Sequence, residues 1–229
     1  MNNFKVVSFW AGHDNFRKGA DILKWSCDQF NIDCEILHFE LEPKEPFWRI
    51  VRHKPEIILD SLNEGNNVLF LDADSYIADG KAVLNLLNSS QFASKHIDCA
   101  WNMFKNTSSD PTFAKRKYAG LDYWPATGAF YFANTEPAKT LLKVWRDLWD
   151  DPKEYEKYSN SDDQLILYDA WKQTTGVSFY NLPAPWYQMP NEPTDELPIT
   201  VQGWWKKVPG VSYEDALNNW QKYVKVINE

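Results

Sequence analysis

Long apolar runs are missing from this chain. Stretches such as Ile57 to Leu59 and Val68 to Leu71 are strand-sized, far below the roughly 18 residues that a membrane-crossing helix needs, so no span is expected. Cysteine is scarce as well. Cys27, Cys34 and Cys99 are odd in number and widely spaced, which fits reduced thiols packed as small core residues in a cytoplasm better than a disulfide framework. Basic residues are outnumbered: 24 Lys and Arg stand against 32 Asp and Glu, a formal charge of −8. Phosphate backbones are bound through surplus Lys and Arg, so broad nucleic-acid binding is excluded. An anionic small molecule would need a local cation. The opening Met1-Asn2-Asn3-Phe4-Lys5 has no basic patch followed by an apolar run, so no signal peptide and a cytoplasmic location are expected. Internal repeats and low-complexity tracts are absent too.

What is present suits a folded enzyme-sized unit. With 229 residues, 44% of them hydrophobic, the chain can bury a substantial core, and a single domain over 1–229, monomeric, is the expectation. Phe4 to Trp10 is a strand-like run, and Lys18 to Phe30 carries apolar residues at near-helical spacing. Cys34 to Phe39 reads as a second strand. Pro46 and Pro55 suit the first turns of two helices, the second ending near Gly65. Val68 to Leu71 is a short continuous apolar run of the kind that lies buried on both faces of a parallel sheet. A helix over Lys81 to Asn88 follows, then strands at Ile97 to Phe104 and Ala129 to Ala133, helices at Glu136 to Trp149 and Asp162 to Gln173, and a strand at Val177 to Leu182. From Pro183 to Pro209 prolines and aromatics make a long irregular segment, read as a functional covering loop. Ser212 then caps a last helix, Tyr213 to Ile227.

The most informative stretch is Val68-Leu69-Phe70-Leu71-Asp72-Ala73-Asp74-Ser75-Tyr76. The strand is too apolar to hold the carboxylates inside, so they sit at its carboxyl end, where ligands bind in open α/β sheets. Alternate residues of an extended segment point the same way, so Asp72 and Asp74 can converge on one cation. Carboxylate oxygens suit Mg²⁺ or Mn²⁺, whose remaining positions take water and substrate phosphates. Two aspartates also end strands merely because a turn follows; the buried strand directly before them and the α/β pattern favour the metal.

Leu69-Phe70-Leu71-Asp72-Ala73-Asp74 resembles the D-x-D element of glycosyltransferases with the GT-A fold, preceded as in several such families by a helix opening with a basic residue and proline, here Arg52-His53-Lys54-Pro55. Ala126-Thr127-Gly128-Ala129-Phe130-Tyr131-Phe132 is similar to the family's strand beneath the donor sugar, where a small residue and glycine allow close approach. Ser161-Asp162-Asp163-Gln164-Leu165 resembles the acidic-plus-glutamine loop that faces the transferred sugar in several retaining families. The resemblance spans roughly residues 4 to 182.

It implies an α/β, Rossmann-like GT-A domain with a mainly parallel mixed sheet flanked by helices, with 1–105 the nucleotide-binding half and 106–229 the sugar and acceptor half. It further implies transfer from a nucleoside diphosphate sugar, UDP-linked on family frequency, to a carbohydrate or glycoconjugate acceptor, with retention and with Mn²⁺ or Mg²⁺. Asp163 and Gln164 then lie beside the anomeric carbon, with Asp162 the alternative as base of an inverting reaction. Phe9, Trp10 and Ala11 meet the nucleotide base, with His13 near them and core packing the competing role for Phe9. Lys54 is the preferred diphosphate contact among Arg49, Arg52 and Lys54, and Ala73, Thr127 and Gly128 complete the donor site.

One departure concerns the metal. Many enzymes of this fold recruit a histidine near the C-terminus, whereas here His13, His38, His53 and His96 all precede the second half, and Gln202 stands at about the expected position. Trp186, Tyr187, Trp204 and Trp205 are candidates to stack on acceptor sugars. Ser161 and Gln164 also form a capping box, a purely structural role compatible with the first.

Three other classes compete. A haloacid-dehalogenase-like phosphatase also places D-x-D after an apolar strand, but expects Thr or Val where this chain has Tyr76 and uses its first strand. A non-catalytic carbohydrate-binding protein is supported only by aromatic richness. A nucleotidyltransferase needs a glycine-rich basic loop after the first strand, which Ala11-Gly12-His13-Asp14 is not.

Overall fold

The computed structural model describes residues 4–41, 48–87, 96–105, 123–150, 163–183, 186, 197–203 and 210–227. In chain order the elements are β1 (Phe4–Ala11), α1 (Asp14–Gln29), β2 (Cys34–Phe39), α2 (Trp48–Val51), α3 (Lys54–Asn63), β3 (Asn67–Leu71), β4 (Ser75–Ile77) and α4 (Gly80–Leu87). They continue with β5 (Cys99–Lys105), β6 (Tyr123–Phe132), α5 (Glu136–Asp150), α6 (Asp163–Gln173), β7 (Phe179–Asn181), β8 (Thr200–Gln202) and α7 (Tyr213–Asn218).

Six strands form the main sheet in the order β2-β1-β3-β6-β5-β7. The pairs β1–β2, β1–β3 and β5–β7 are parallel, and β6 runs antiparallel to both β3 and β5. Five strands therefore share one direction, and the reversed β6 sits near the middle. This is the mainly parallel mixed sheet expected. β3 shows why its sequence has no alternation: Val68 and Phe70 enter the core on one face, while Leu69 and Leu71 enter the core on the other. α3, α5 and α6 cover the first face. On the second, α1 turns Gly19, Ala20, Ile22, Leu23, Ser26 and Cys27 inward at helical spacing.

Several boundaries differ from expectation. α1 opens at Asp14, four residues earlier, because His13 takes an extended conformation and its Nδ1 accepts the Asn15 N–H. β6 begins at Tyr123 and spans 10 residues. The last helix stops at Asn218, though Ser212 Oγ caps it as expected by accepting the Asp215 N–H. Beyond it, one 3₁₀ turn at Trp220–Lys222 and an extended end pack back on the body. Trp220 meets the edge of Trp25 at 4.6 Å, and the Ile227 N–H donates to the Ala78 carbonyl. Within the expected covering segment lies β8, which pairs antiparallel with β4 in a second, two-stranded sheet; three residues are too few for periodicity to reveal.

Helix α1 lies close against the turn after β3. A Cβ added at Gly19 would fall 2.8 Å from the Ala73 carbonyl oxygen, a backbone atom that cannot step aside alone. Gly19→Ala should therefore lower stability, by about 1–3 kcal/mol of overpacking, against a helix-propensity gain of at most about 1 kcal/mol. Urea denaturation checks this: a midpoint unchanged or raised would mean that the turn yields freely.

Candidate active site

The turn that carries the acidic pair is held from three sides. The Asp72 N–H donates to the Gly128 carbonyl at 2.9 Å, which fastens the turn to β6. The Ser75 N–H donates back to the Asp72 carbonyl at 2.9 Å, closing the turn on itself. The Gly203 N–H, presented with a φ of +57° that favours glycine, donates to the Asp74 carbonyl at 3.1 Å. Because β8 pairs Gln202 with Ser75, the Gln202 side chain comes alongside Asp72, and its Nε2 donates to Asp72 Oδ2 at 2.6 Å.

At the carboxyl end of β3 these residues border a cavity of about 400 Å³, a size suited to a small-molecule site. Asp72, Ala73, Asp74, Thr127, Gly128, Asp163, Gln164, Gln202, Lys54, Phe9, Trp10 and Ala11 all line it. Apart from Arg52 and His13, the described residues nominated for catalysis, donor or metal are thus brought to one cavity. Phe16 and Val51 also line it and were not nominated; Phe16 falls in α1's unexpected first turn, and Val51 carries no chemical signal. Trp10 is half-buried and stacks on His38 at 3.9 Å, whereas Phe9 is buried against Phe39 and Phe70 and serves the core as well as the cavity wall.

Other nominations fare differently. Trp186 is only 2% exposed and packs in the core near Leu182; a ring with no open face cannot stack on a sugar, so its role is packing. His13 caps α1, and Arg52 is exposed and does not line the cavity. Asp162, Tyr187, Trp204, Trp205, the Ser161 cap and the Arg49 side chain lie outside the described residues.

Lys54 differs most from expectation. It is 3% exposed, and its ammonium donates to Thr127 O at 2.9 Å and pairs with Asp163 Oδ2 at 2.7 Å and Asp72 Oδ1 at 3.0 Å. It also lies over the rings of Phe70 and Phe130, 5.3 and 5.8 Å from their centroids. Its three protons are committed inside the protein, so it braces two carboxylates rather than standing free for a diphosphate. Burial alone would favour the neutral amine, but the charges and hydrogen bonds of Asp163 and Asp72 outweigh it and hold Lys54 above the usual lysine range. Asp72 has the opposite balance: burial pushes its carboxyl up, Lys54 pulls it down, and the negative charge of Asp163 adds to the rise. One ammonium shared by two carboxylates satisfies itself better than either partner.

Asp163 opens α6, where the positive end of the helix favours a carboxylate, and is 8% exposed. Gln164 follows it, half-buried on the cavity wall. Tyr213, at the start of α7, donates to the Asn15 carbonyl at 3.3 Å, and burial together with the charge of Asp74 pushes its phenol up to about 12. Its proximity to the acidic turn had no signal in the sequence. Among the described residues no three His, Cys, Asp or Glu side chains are grouped to hold a metal ion, and no helix is long and apolar enough to cross a membrane.

This fold is that of the GT-A glycosyltransferases. The chain superposes on a glycosyltransferase involved in glycosylation of the major capsid of PBCV-1 with a TM-score of 0.59 at 14% identity, over 96% of this chain and 99% of that one. It matches glycosyltransferase GlyE of Streptococcus pneumoniae at 0.55 and 14% identity, over 96% of this chain and 63% of that one. Mouse xyloside xylosyltransferase 1 matches at 0.51 and 10% identity, over 98% and 94%. No protein-family model matches the sequence, and no curated protein matches it.

Removing the brace should be costly. Lys54→Met leaves the buried Asp163 and the half-buried Asp72 without their ammonium, and about 3 kcal/mol of stability should be lost at neutral pH. The sign with pH follows from what Lys54 does to Asp72: its charge pulls down a carboxyl that burial raises, so the carboxyl rises further without it, and the cost of ionising it, absent below the unfolded carboxylate range near 3.9, is larger in the variant at neutral pH. The gap between wild type and variant should therefore narrow on acidification, as urea titrations at neutral pH and near pH 4 would record. A gap that widens in acid would contradict this.

Proposed function

We propose that the protein is a metal-dependent glycosyltransferase that moves a sugar from a nucleoside diphosphate sugar, UDP-linked by preference, to a carbohydrate or glycoconjugate acceptor with retention of configuration. The observation that carries this reading is the convergence of Asp72, Asp74, Gln202, Asp163 and Gln164 on one cavity at the carboxyl edge of a GT-A sheet. The fold weighs against the phosphatase alternative, because D-x-D follows the third strand of a sheet shared with glycosyltransferases. Carbohydrate binding without catalysis leaves the buried charges around Lys54 unexplained.

The donor set fits Mg²⁺ or Mn²⁺: two carboxylates and an amide, all hard oxygen donors when Gln202 offers its carbonyl, with no sulfur or imidazole among the described lining residues. Asp72 and Asp74 would hold the ion, with Gln202 as third protein ligand, and the ion would neutralise the diphosphate and stabilise it as leaving group. Three carboxylates face one ammonium in the cavity, so an anionic donor would otherwise be repelled. Trp10 supplies a flat apolar surface for the base, and Thr127 and Gly128 give a close backbone floor beneath the sugar. Asp163 and Gln164 would stabilise the positive charge that develops on the anomeric carbon as the leaving group departs, with Lys54 fixing the Asp163 carboxylate in place.

Purified protein incubated with nucleotide sugars and Mn²⁺ should release free nucleotide slowly even without acceptor, fastest with a UDP-sugar, and chelation or Asp74→Ala should stop it. The reading fails if no nucleotide sugar is turned over, or if chelation leaves the rate unchanged. Gln164→Ala should lower kcat and kcat/KM together by about 10²-fold with UDP affinity nearly unchanged. Asp163→Asn should do the same, with an added loss of stability from the Lys54 pair. The product anomer, read by NMR with the acceptor, should match the donor; an inverted product would reassign the base to Asp162.

A further inference from the structure

Lys54 and a divalent cation would compete for the same carboxylate. The ammonium lies 3.0 Å from Asp72 Oδ1, while Gln202 holds Oδ2. Lys54 cannot swing away, because it is 3% exposed and anchored to Thr127 O and Asp163 Oδ2. Neither can it disperse its charge into water. An ion taken up by Asp72 and Asp74 therefore arrives beside a fixed, buried positive charge that water reaches little, and like charges so close repel. The same ammonium is the only basic side chain among the described residues lining the cavity.

We propose that Lys54 is the resident counter-cation of the acidic turn: it occupies Asp72 in the metal-free protein and lowers the affinity for a free divalent ion, so that the ion is taken up together with the diphosphate. This rests on the metal-site reading of Asp72 and Asp74. Lys54 is then a positioning residue with two effects of opposite sign, holding Asp163 for the reaction and opposing metal that comes without nucleotide. The diphosphate, with its own negative charge, offsets the ammonium and tips the balance toward metal uptake.

A purely structural Lys54 would act the other way, since its removal would loosen Asp72 and weaken the metal. The sign of the effect on metal affinity thus separates the two roles without reference to turnover. Free Mn²⁺, followed by electron paramagnetic resonance, should be titrated with wild type, Lys54→Met and Lys54→Gln, each with and without saturating UDP. The expected result is weak binding by the wild type alone and binding roughly tenfold tighter or more in both variants. Equal or weaker binding in the variants overturns the inference while leaving the metal site standing. Absence of Mn²⁺ binding in every protein, UDP included, overturns the metal-site reading and the inference with it. Should neither variant fold, the wild type decides: with ¹⁵N-labelled lysine, the buried ammonium resonance of Lys54 should move when Mg²⁺ and UDP saturate the protein. A resonance that stays in place would overturn the inference.

Discussion

A buried ammonium must have its partners, and that requirement organises this molecule. Lys54 stands at the start of α3, and its three acceptors come from the turn after β3, from β6 and from the start of α6. Leaving such a charge in the interior without them would cost several kcal/mol. The elements are therefore drawn to one point. That point is also where the cavity opens, so the constraint that completes the fold brings Asp163 and Gln164 to the same cavity as Asp72 and Asp74.

Around this point the backbone does the finer positioning. The acidic turn is clamped by the Gly128 carbonyl of β6 and by the N–H of Gly203 just after β8, both close backbone contacts made at glycine. Helix α1 presses on the same turn through Gly19, where a methyl group would already collide with the Ala73 carbonyl. The side chains of Asp72 and Asp74 thus issue from a turn with little freedom, as a site that must hold oxygen ligands at fixed distances requires. The reversed strand β6 matters here, because its direction lays Thr127 and Gly128 beside the end of β3, where Leu71 pairs with Ala129.

Much of this was legible in the chain itself. The apolar run Val68 to Leu71 announced a strand buried on both faces, and the carboxylates directly after it could lie only at its end. Ser212 was readable as a cap because a cap acts on N–H groups two or three residues away. Where reading failed, the decisive contact was distant or the element too short. The reach of α1 back to Asp14 depends on a histidine cap, an uncommon residue in that role. Trp186, offered as a sugar platform, is buried, because one of 12 tryptophans carries no mark of which side of the surface it occupies.

The sequence alone determined the order of the main-sheet strands and of the helices between them, the acidic pair at a strand end, and the negative balance that demands a local cation, because these follow from neighbouring residues and from composition. The tertiary structure alone decided that Lys54 braces rather than stands free, that Gln202 reaches Asp72, and that β6 is reversed. The bonds concerned join residues 109 and 130 positions apart. No periodicity or propensity extends over such a separation; only the packing of α6 and β8 against the sheet brings those side chains within hydrogen-bond distance.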